Sequence, residues 1–521
     1  MPSSAVEFDL LILGGGITGA AVAREAALRG FLVALVEKGD FVSGTSSKSS
    51  KLIHGGQRYL ESLEFRLVRE SCRERGILLR LAPHLIRPLP FLFSVGERGA
   101  PSRPLLAAGL TLYRALSAGE RTGPTTYRAK GDRLIDSEAP GLDPKGWRGA
   151  YRYYDAQADD CLLTLAFLRD AASRGARLHS YTRASKIIRG GGGRVAGALV
   201  EAENGQTRQV LSRATVGALG PWTNQLSALL DHDVAPLIRP SRGSHFFLPP
   251  GKLPVSAAVV MLDSENRRCY AIPWRGGTLL GTTDEDDARP PEEIFPTESD
   301  RRILFDAVRR FFPSSAIEIE DLSDGFAGLR PLALTGPPRA SKDVSRDERI
   351  FEALPGLVVA FGGKLTTARA MGARILNRVE KILRRDFNLT RPASGESAAA
   401  PLPGGDIDDL ETFRASIRER AFRRLKLSPT RADRILEREG SNAVLALAEM
   451  EAEPHLARPI SEALPYTVSD LVWGVREAFA KTSDDLLTRR TALSWESPAE
   501  AENARGLAEE LLRSMRPPAR R

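Results

Sequence analysis

Between the apolar run FDLLIL (Phe8–Leu13) and the helix formers of Ala20–Arg29 stands Gly14-Gly15-Gly16-Ile17-Thr18-Gly19. Glycines at this spacing serve a pyrophosphate: the chain turns tightly at Gly14, a phosphate meets bare backbone at Gly16, and Gly19 lets helix pack on strand. The amides at the helix N-terminus then face the phosphate oxygens. A second apolar strand, Phe31–Val36, closes on Glu37, placed to accept from ribose hydroxyls. An acid there favours an unphosphorylated adenosine ribose, so NAD or FAD rather than NADP.

Two further segments carry polar chemistry on small residues. In Gly44–Glu61 the hydroxyls of Thr45, Ser46 and Ser47 suit a pyrophosphate or ribityl chain, and Gly55 and Gly56 allow backbone to lie flat on a ring. His54, Arg58 and Tyr59 flank them. Gly362-Gly363-Lys364-Leu365-Thr366-Thr367 follows the apolar strand Leu357–Phe361 and precedes a helix, and its lysine is out of place in a buried junction. Amides in such a turn stabilise negative charge.

The elements that must position these residues follow from periodicity. Phe8–Val36 reads as a βαβ unit, with Gly30 as the helix C-cap. Helical patterns cover Tyr59–Leu81 and Cys161–Ser173. Arg183–Arg189 and Arg194–Glu203 form a hairpin through Gly190–Gly193. Strands are expected at Thr215–Leu219, His245–Leu248, Tyr270–Pro273 and Thr278–Gly281. Residues 391–405, rich in Pro, Ala, Ser and Gly, read as a linker after a body of 1–390. Residues 406–512 are helical in pattern, and 513–521 form a basic tail.

The 521 residues suffice for two or three domains, and 42% hydrophobic with 27% charged residues is the balance of a folded soluble or peripheral protein. A net charge of +8 suits an anionic substrate or an anionic membrane surface. No basic patch interleaved with aromatics is present, so nucleic acid is not expected as a partner. Cys72, Cys161 and Cys269 form no framework of bridges, which points to a reducing compartment, and the six histidines show no metal-ligand spacing. The start MPSSAVEFDL has no signal-peptide pattern. Prolines and charges break the most apolar stretch, Leu85–Leu116, so no membrane span is expected. Arg73–Phe93 mixes Arg with Leu, Ile and Phe as an interfacial segment would.

From Gly14 to Glu61, and on through Phe65–Glu70, the chain closely resembles the FAD-dependent glycerol-3-phosphate dehydrogenases and their oxidase relatives. The likeness recurs in order at Gly220-Pro221-Trp222, Gly243-Ser244-His245, Ile272-Pro273-Trp274, Gly281-Thr282-Thr283-Asp284, Gly328–Leu332, Ser345-Arg346-Asp347 and Gly362–Thr367. It extends into the helical part at Tyr466–Leu471 and Asp485–Thr491. The resemblance implies an α/β fold: an FAD-binding, Rossmann-like domain of the glutathione-reductase type, an antiparallel-sheet substrate domain and an all-α C-terminal domain. It implies FAD held by Gly14, Gly15, Gly16, Gly19, Glu37, Lys38, Thr45, Ser46, Ser47, Leu52, His54, Gly55, Gly56, Gly220, Trp222 and Gly362–Thr366. Around the substrate it places Arg58, Tyr59, His245, Arg330, Arg346 and Lys364, cations suited to a phosphate dianion.

The implied reaction is oxidation of sn-glycerol 3-phosphate to dihydroxyacetone phosphate, with quinone as acceptor. Either His245 takes the hydroxyl proton, or Arg330 and Lys364 acidify the hydroxyl while water takes it. An oxidase using oxygen, or an FAD oxidoreductase of another small hydroxy or amino substrate, are the alternative readings. The implied setting is cytoplasmic, peripheral on the inner face of the cell membrane, with a homodimer as a compatible assembly. Four positions depart from the family pattern and bear on substrate choice: Gln57 and Ala368 replace Leu and Tyr, Leu219 stands in a segment lacking the usual Asn, and Cys161 follows Asp160 where an Asp-Ala-Arg-Leu run is familiar. Purified protein is expected to be yellow and to release FAD on denaturation. A colourless preparation that takes up no FAD would refute this reading.

Overall fold

The computed structural model describes residues 7–96, 102–117, 123–334, 348–391 and 395–515. Phe8–Leu13 is buried at every position, as a strand covered on both faces must be. It pairs in parallel with Val33–Val36 and with Thr207–Gly217, and the latter pairs in parallel with Leu357–Phe361. Arg349–Leu354 and Arg177–His179 complete this sheet at its two ends. The expected hairpin, Thr182–Arg189 with Val195–Ala202, continues from Thr207–Gly217 as an antiparallel extension.

Helix Ile17–Leu28 starts three residues ahead of the apolar pattern, directly after Gly16, and ends with Gly30 at φ 75° one place beyond its cap. It packs between Asp160–Ser173 and Ala368–Phe387. The helical pattern over Tyr59–Leu81 is split into a short turn, Gln57–Leu60, and the helix Phe65–Leu81.

Among the described residues the second sheet has ten strands and is antiparallel at every junction but one. Ile86–Val95 and Ala258–Leu262 run parallel. They come from chain segments far apart in sequence, with no hairpin between them to impose an antiparallel return. Ile238–Leu248 lies between Gly277–Gly281 and Phe326–Ala333, so His245 has Gly281 as one cross-strand neighbour and Phe326 as the other. Helix Glu298–Phe311, opened by a Thr297/Asp300 capping box, covers the sheet through Leu304, Val308 and Phe311.

Two expectations are corrected. Arg73–Phe93 is not interfacial: it spans the end of helix Phe65–Leu81 and the start of strand Ile86–Val95, and Leu78, Leu81, Ile86, Phe91 and Phe93 are core residues. Residues 395–405 are a strap rather than a spacer. Buried Arg24, paired with Asp170 at 2.6 Å, donates to the carbonyls of Ser397 and Ala400, and the Leu402 amide bonds to Leu81 O. The arginine cannot stay buried without those acceptors.

The C-terminal part is built on Leu410–Leu425, Pro429–Glu439, Ala443–Ala452, Val468–Arg476 and Pro498–Met515. Residues 513–515 therefore end a helix, and 516–521 lie outside the described residues. No helix among the described residues is long and apolar enough to cross a membrane.

Buried ion pairs bind this part to the first sheet. Arg490 reaches both oxygens of Asp40 at 2.6 and 2.8 Å, and Arg489 joins the same carboxylate. Removing one partner of a buried pair costs about 3–5 kcal/mol because the other charge is left uncompensated. Asp40→Ala is expected to lower stability by about that amount in denaturant titrations. A loss below about 1 kcal/mol, the range of exposed pairs, would show that these arginines find other partners.

Candidate active site

At Gly14 the backbone has φ 113°, and a Cβ would lie 2.3 Å from Ala218 O. A Cβ on Gly19 would fall 1.9 Å from Gly14 O. The turn therefore closes on bare backbone. The next helix presents its N-terminus there, where Ile17 N–H donates to Ser46 Oγ at 2.9 Å. Of the three candidate hydroxyls only Ser46 reaches this point; Thr45 donates to Leu329 O and Ser47 to Gly44 O. Glu37 clamps the turn, accepting Gly15 N–H at 2.7 Å and Gly39 N–H at 3.1 Å. Burial pushes its carboxyl up, and the two amides pull it back. Beside it, Lys38 Nζ lies 4.0 Å over Trp222, and both meet Glu292. A Cβ on Gly44 would come 2.9 Å from the Trp222 ring, and Gly220 opens the turn that bears that ring.

A cavity of about 1840 Å3 runs from Thr45 and Ser50 past His54, Gly56 and Tyr59 to Gly362–Thr366. Pockets for a single small ligand are commonly about 300–1,000 Å3, so this one has room for a large cofactor with a small substrate. The glycine turn, Glu37, Lys38 and Trp222 are not among its lining residues.

The ring-facing backbone is well anchored. Gly55 N–H reaches Asp155 at 3.1 Å and Tyr113 OH at 2.8 Å, and buried Arg75 pairs with the same carboxylate. A Cβ on Gly55 would lie 2.4 Å from both Cys72 Sγ and Tyr113 OH. Leu52 sits in a short strand against Gly149–Ala158. His54 N–H donates to Thr366 Oγ1, which donates back to His54 O, both at 3.2 Å, so the two glycine segments are stitched together. Gly362 and Gly363 both have φ 76°.

The polar groups converge on this cavity. His245, 2% exposed, has Nε2 2.8 Å from Ser50 Oγ. Burial, then the charges of Arg330 and Lys51, push its pKa well below the usual imidazole value, so the ring is neutral. Arg330 donates to Thr282 Oγ1 at 2.7 Å and Thr283 O at 3.0 Å and pairs with Asp284 at 3.2 Å. Gly243 leaves it room, since a Cβ there would lie 2.2 Å from the guanidinium. Lys364 Nζ sits 3.7 Å over the ring of Tyr59. Arg58 falls on the Gln57–Leu60 turn bordering the cavity, and Arg346 lies outside the described residues. Gln57 lines the cavity; Ala368 starts the helix behind it.

Sequence reasoning missed Ser50, Lys51, Arg75, Tyr113 and Asp155. A buried arginine on a helix was the one signal, and it is lost among 74 lysines and arginines. Asp159, Asp160 and Cys161 lie close enough for a metal, but Arg275 and Lys51 already take the two carboxylates.

Two sheets in this order, a glycine turn at a helix N-terminus and a large cavity between them define an FAD-dependent oxidoreductase. The family described as FAD dependent oxidoreductase matches residues 9–378, and the C-terminal domain of alpha-glycerophosphate oxidase matches 396–517. Glycerol-3-phosphate dehydrogenase 2 of Mycobacterium tuberculosis is 34% identical over 493 residues, covering 94% of this chain and 82% of that protein. Aerobic glycerol-3-phosphate dehydrogenase of Staphylococcus aureus is 29% identical over 490 residues, covering 93% and 86%. The solved glycerol-3-phosphate dehydrogenase from Bacillus halodurans, complexed with FAD, superposes with a TM-score of 0.76 at 28% identity, covering 98% of this chain and 91% of that one. The chain belongs to the glycerol-3-phosphate dehydrogenase family of FAD-dependent oxidoreductases, and FAD is its cofactor.

The bare-backbone notch at Gly14–Gly19 fits the pyrophosphate of that cofactor, and the Glu37 clamp holds the notch in shape. Glu37→Ala strands the two amides it accepts and removes the acid expected at the ribose. It is expected to weaken FAD binding by roughly 10- to 100-fold, the worth of one or two charge-assisted hydrogen bonds. Fluorescence titration of apoprotein with FAD measures this, and an unchanged Kd would remove Glu37 from cofactor binding.

Proposed function

We propose that the protein oxidises sn-glycerol 3-phosphate to dihydroxyacetone phosphate and passes the electrons to a quinone. The observation that carries this reading is a buried His245 beside the Arg330 guanidinium, on paired strands, in one cavity with Lys364. The names of the similar proteins support the choice of substrate. Bound FAD supplies the hydride acceptor. His245 is neutral and within the cavity, so it accepts the hydroxyl proton as C2 loses hydride. Arg330 and Lys364 stabilise negative charge on the substrate oxygens, and the family resemblance adds Arg58 and Arg346 to the cations for the phosphate.

The quinone reading is supported by the cavity rim. Leu63, Phe65, Leu105 and Leu112 line its mouth and are 71%, 41%, 65% and 38% exposed. Arg66, Arg103 and Arg114, all exposed, are close to them in sequence. An apolar patch edged by cations suits the surface of an anionic bilayer, the inner face of the cell membrane, where a quinone resides.

Anaerobic glycerol 3-phosphate is expected to bleach the flavin, and reoxidation by a soluble quinone to proceed without stoichiometric peroxide. No bleaching at millimolar substrate removes the substrate; stoichiometric peroxide release makes oxygen the acceptor. Arg330→Ala is expected to weaken substrate binding by roughly 10- to 100-fold while FAD is retained; equal losses assign Arg330 to folding. Because a proton inactivates the base and the folded pKa of His245 is depressed, flavin reduction should persist as pH falls through about 6.5, the ordinary imidazole value, and decline only lower. An acid limb at or above that value would contradict a neutral, buried His245.

A further inference from the structure

We propose that Trp495, from the helical C-terminal part, is a positioning residue for His245 and acts through the ring of Phe326. The inference rests on the reading of His245 as the proton acceptor. The imidazole is held by few polar contacts: Nε2 meets Ser50 Oγ, and Nδ1 has no hydrogen-bond partner among the described residues. A single contact leaves the ring free to swing, so packing must set its plane. On one side Gly281 gives it space, since a Cβ there would lie 2.1 Å from His245 Cδ2. On the other side the ring stacks on Phe326, with centroids 5.0 Å apart and planes at 18°. Phe326 in turn packs on Trp495 at 4.7 Å and 33°.

Neither Phe326 nor Trp495 is among the cavity's lining residues. Trp495 therefore touches the group that touches the base, not the substrate. The two outer rings are pinned by a fixed charge. Lys51 Nζ lies 5.3 Å from the Phe326 centroid and 5.0 Å from that of Trp495, with Trp274 at 5.8 Å. The ammonium is itself held by Asp160 and by Ser47 O. A cation out of water attracts aromatic faces more strongly than an exposed one.

The turn bearing Trp495 is held by the neighbouring acid. Arg275 pairs with Asp159 at 2.7 Å and donates to Thr491 O, and Trp495 N–H closes on Ala492 O at 3.0 Å. Asp159 and Asp160 thus anchor the tryptophan's turn and the lysine beneath its ring. The charged groups acting on His245 are Arg330, on the strand of Phe326, and Lys51.

The experiment compares W495A, W495F and wild-type holoenzyme in anaerobic stopped flow. With the base misaligned, W495A is expected to keep its FAD and to bind substrate within about threefold of wild type, while flavin reduction slows by roughly 10- to 100-fold. W495F, which keeps a ring against Phe326, is expected to recover most of the rate. A wild-type rate in W495A, or a loss lying wholly in substrate affinity, overturns the assignment. A second readout needs no substrate: the His245 ring protons in histidine-labelled holoenzyme, assigned by their loss in H245N, carry the ring-current shift of the stacked Phe326. That shift is expected to diminish in W495A and to persist in W495F; an unmoved signal overturns the proposal. Should W495A fail to retain FAD, the W495F and W495L pair decides by the same two measurements. If glycerol 3-phosphate leaves the wild-type flavin oxidised, the proposed function falls, and the ring-current result still decides the role of Trp495.

Discussion

Two neighbouring carboxylates, Asp159 and Asp160, are buried at the start of one helix, and the arrangement of the molecule follows from neutralising them. Like charges side by side in a poorly solvated place each need a cation. Lys51 meets Asp160 and Arg275 meets Asp159. Lys51 belongs to the polar loop Gly44–Glu61, Arg275 to a turn of the second sheet, and the helix to the first sheet's packing. Arg275 also pairs with Glu496 and donates to Tyr466 OH, so the helical part is drawn into the same knot. Burial alone would raise Asp159, yet Arg275 and Lys51 outweigh it and hold the carboxyl below its usual range. A pair this deep gives little net stability, but breaking it is costly, so it specifies one arrangement of the three parts.

Around this knot, close approach does the rest. The cavity exists where side chains are missing: Gly243 admits the Arg330 guanidinium, and Gly281 admits the His245 ring. Gly281 sits opposite His245, and Gly243 lies two residues along from Ser241, the partner of Arg330, so a methyl group at either would displace the functional side chain. Such glycines make room for a side chain across a sheet, whereas Gly14 combines a left-handed turn with close approach to the backbone at Ala218.

The helical C-terminal part acquires a use that its own sequence does not display. Arg489 and Arg490 lock onto Asp40, three residues after Glu37, while Trp495 reaches the ring stack behind His245. Both ends of the cofactor site are thereby tied to one body, and the strap at 395–405 connects it to helix Ile17–Leu28 through Arg24.

Read by itself, the sequence determined what depends on neighbours along the chain. Phe8–Leu13 and Leu357–Phe361 appear as strands at those bounds, and the turn from Gly14 to Gly19 with Glu37 is legible because spacing of a few residues dictates its shape. Family resemblance then identified His245, Arg330 and Lys364 as members of one site. Only the tertiary structure decided how they are held. The pairs Lys51–Asp160, Arg75–Asp155 and Arg490–Asp40 join residues separated by 109, 80 and 450 positions, and such partners leave no periodic trace. The same blindness turned a buried strand at Ile86–Val95 into a membrane-facing stretch and a strap into a linker. Local pattern encodes which face of an element is apolar; which charge it must meet there is settled when the sheets close on one another.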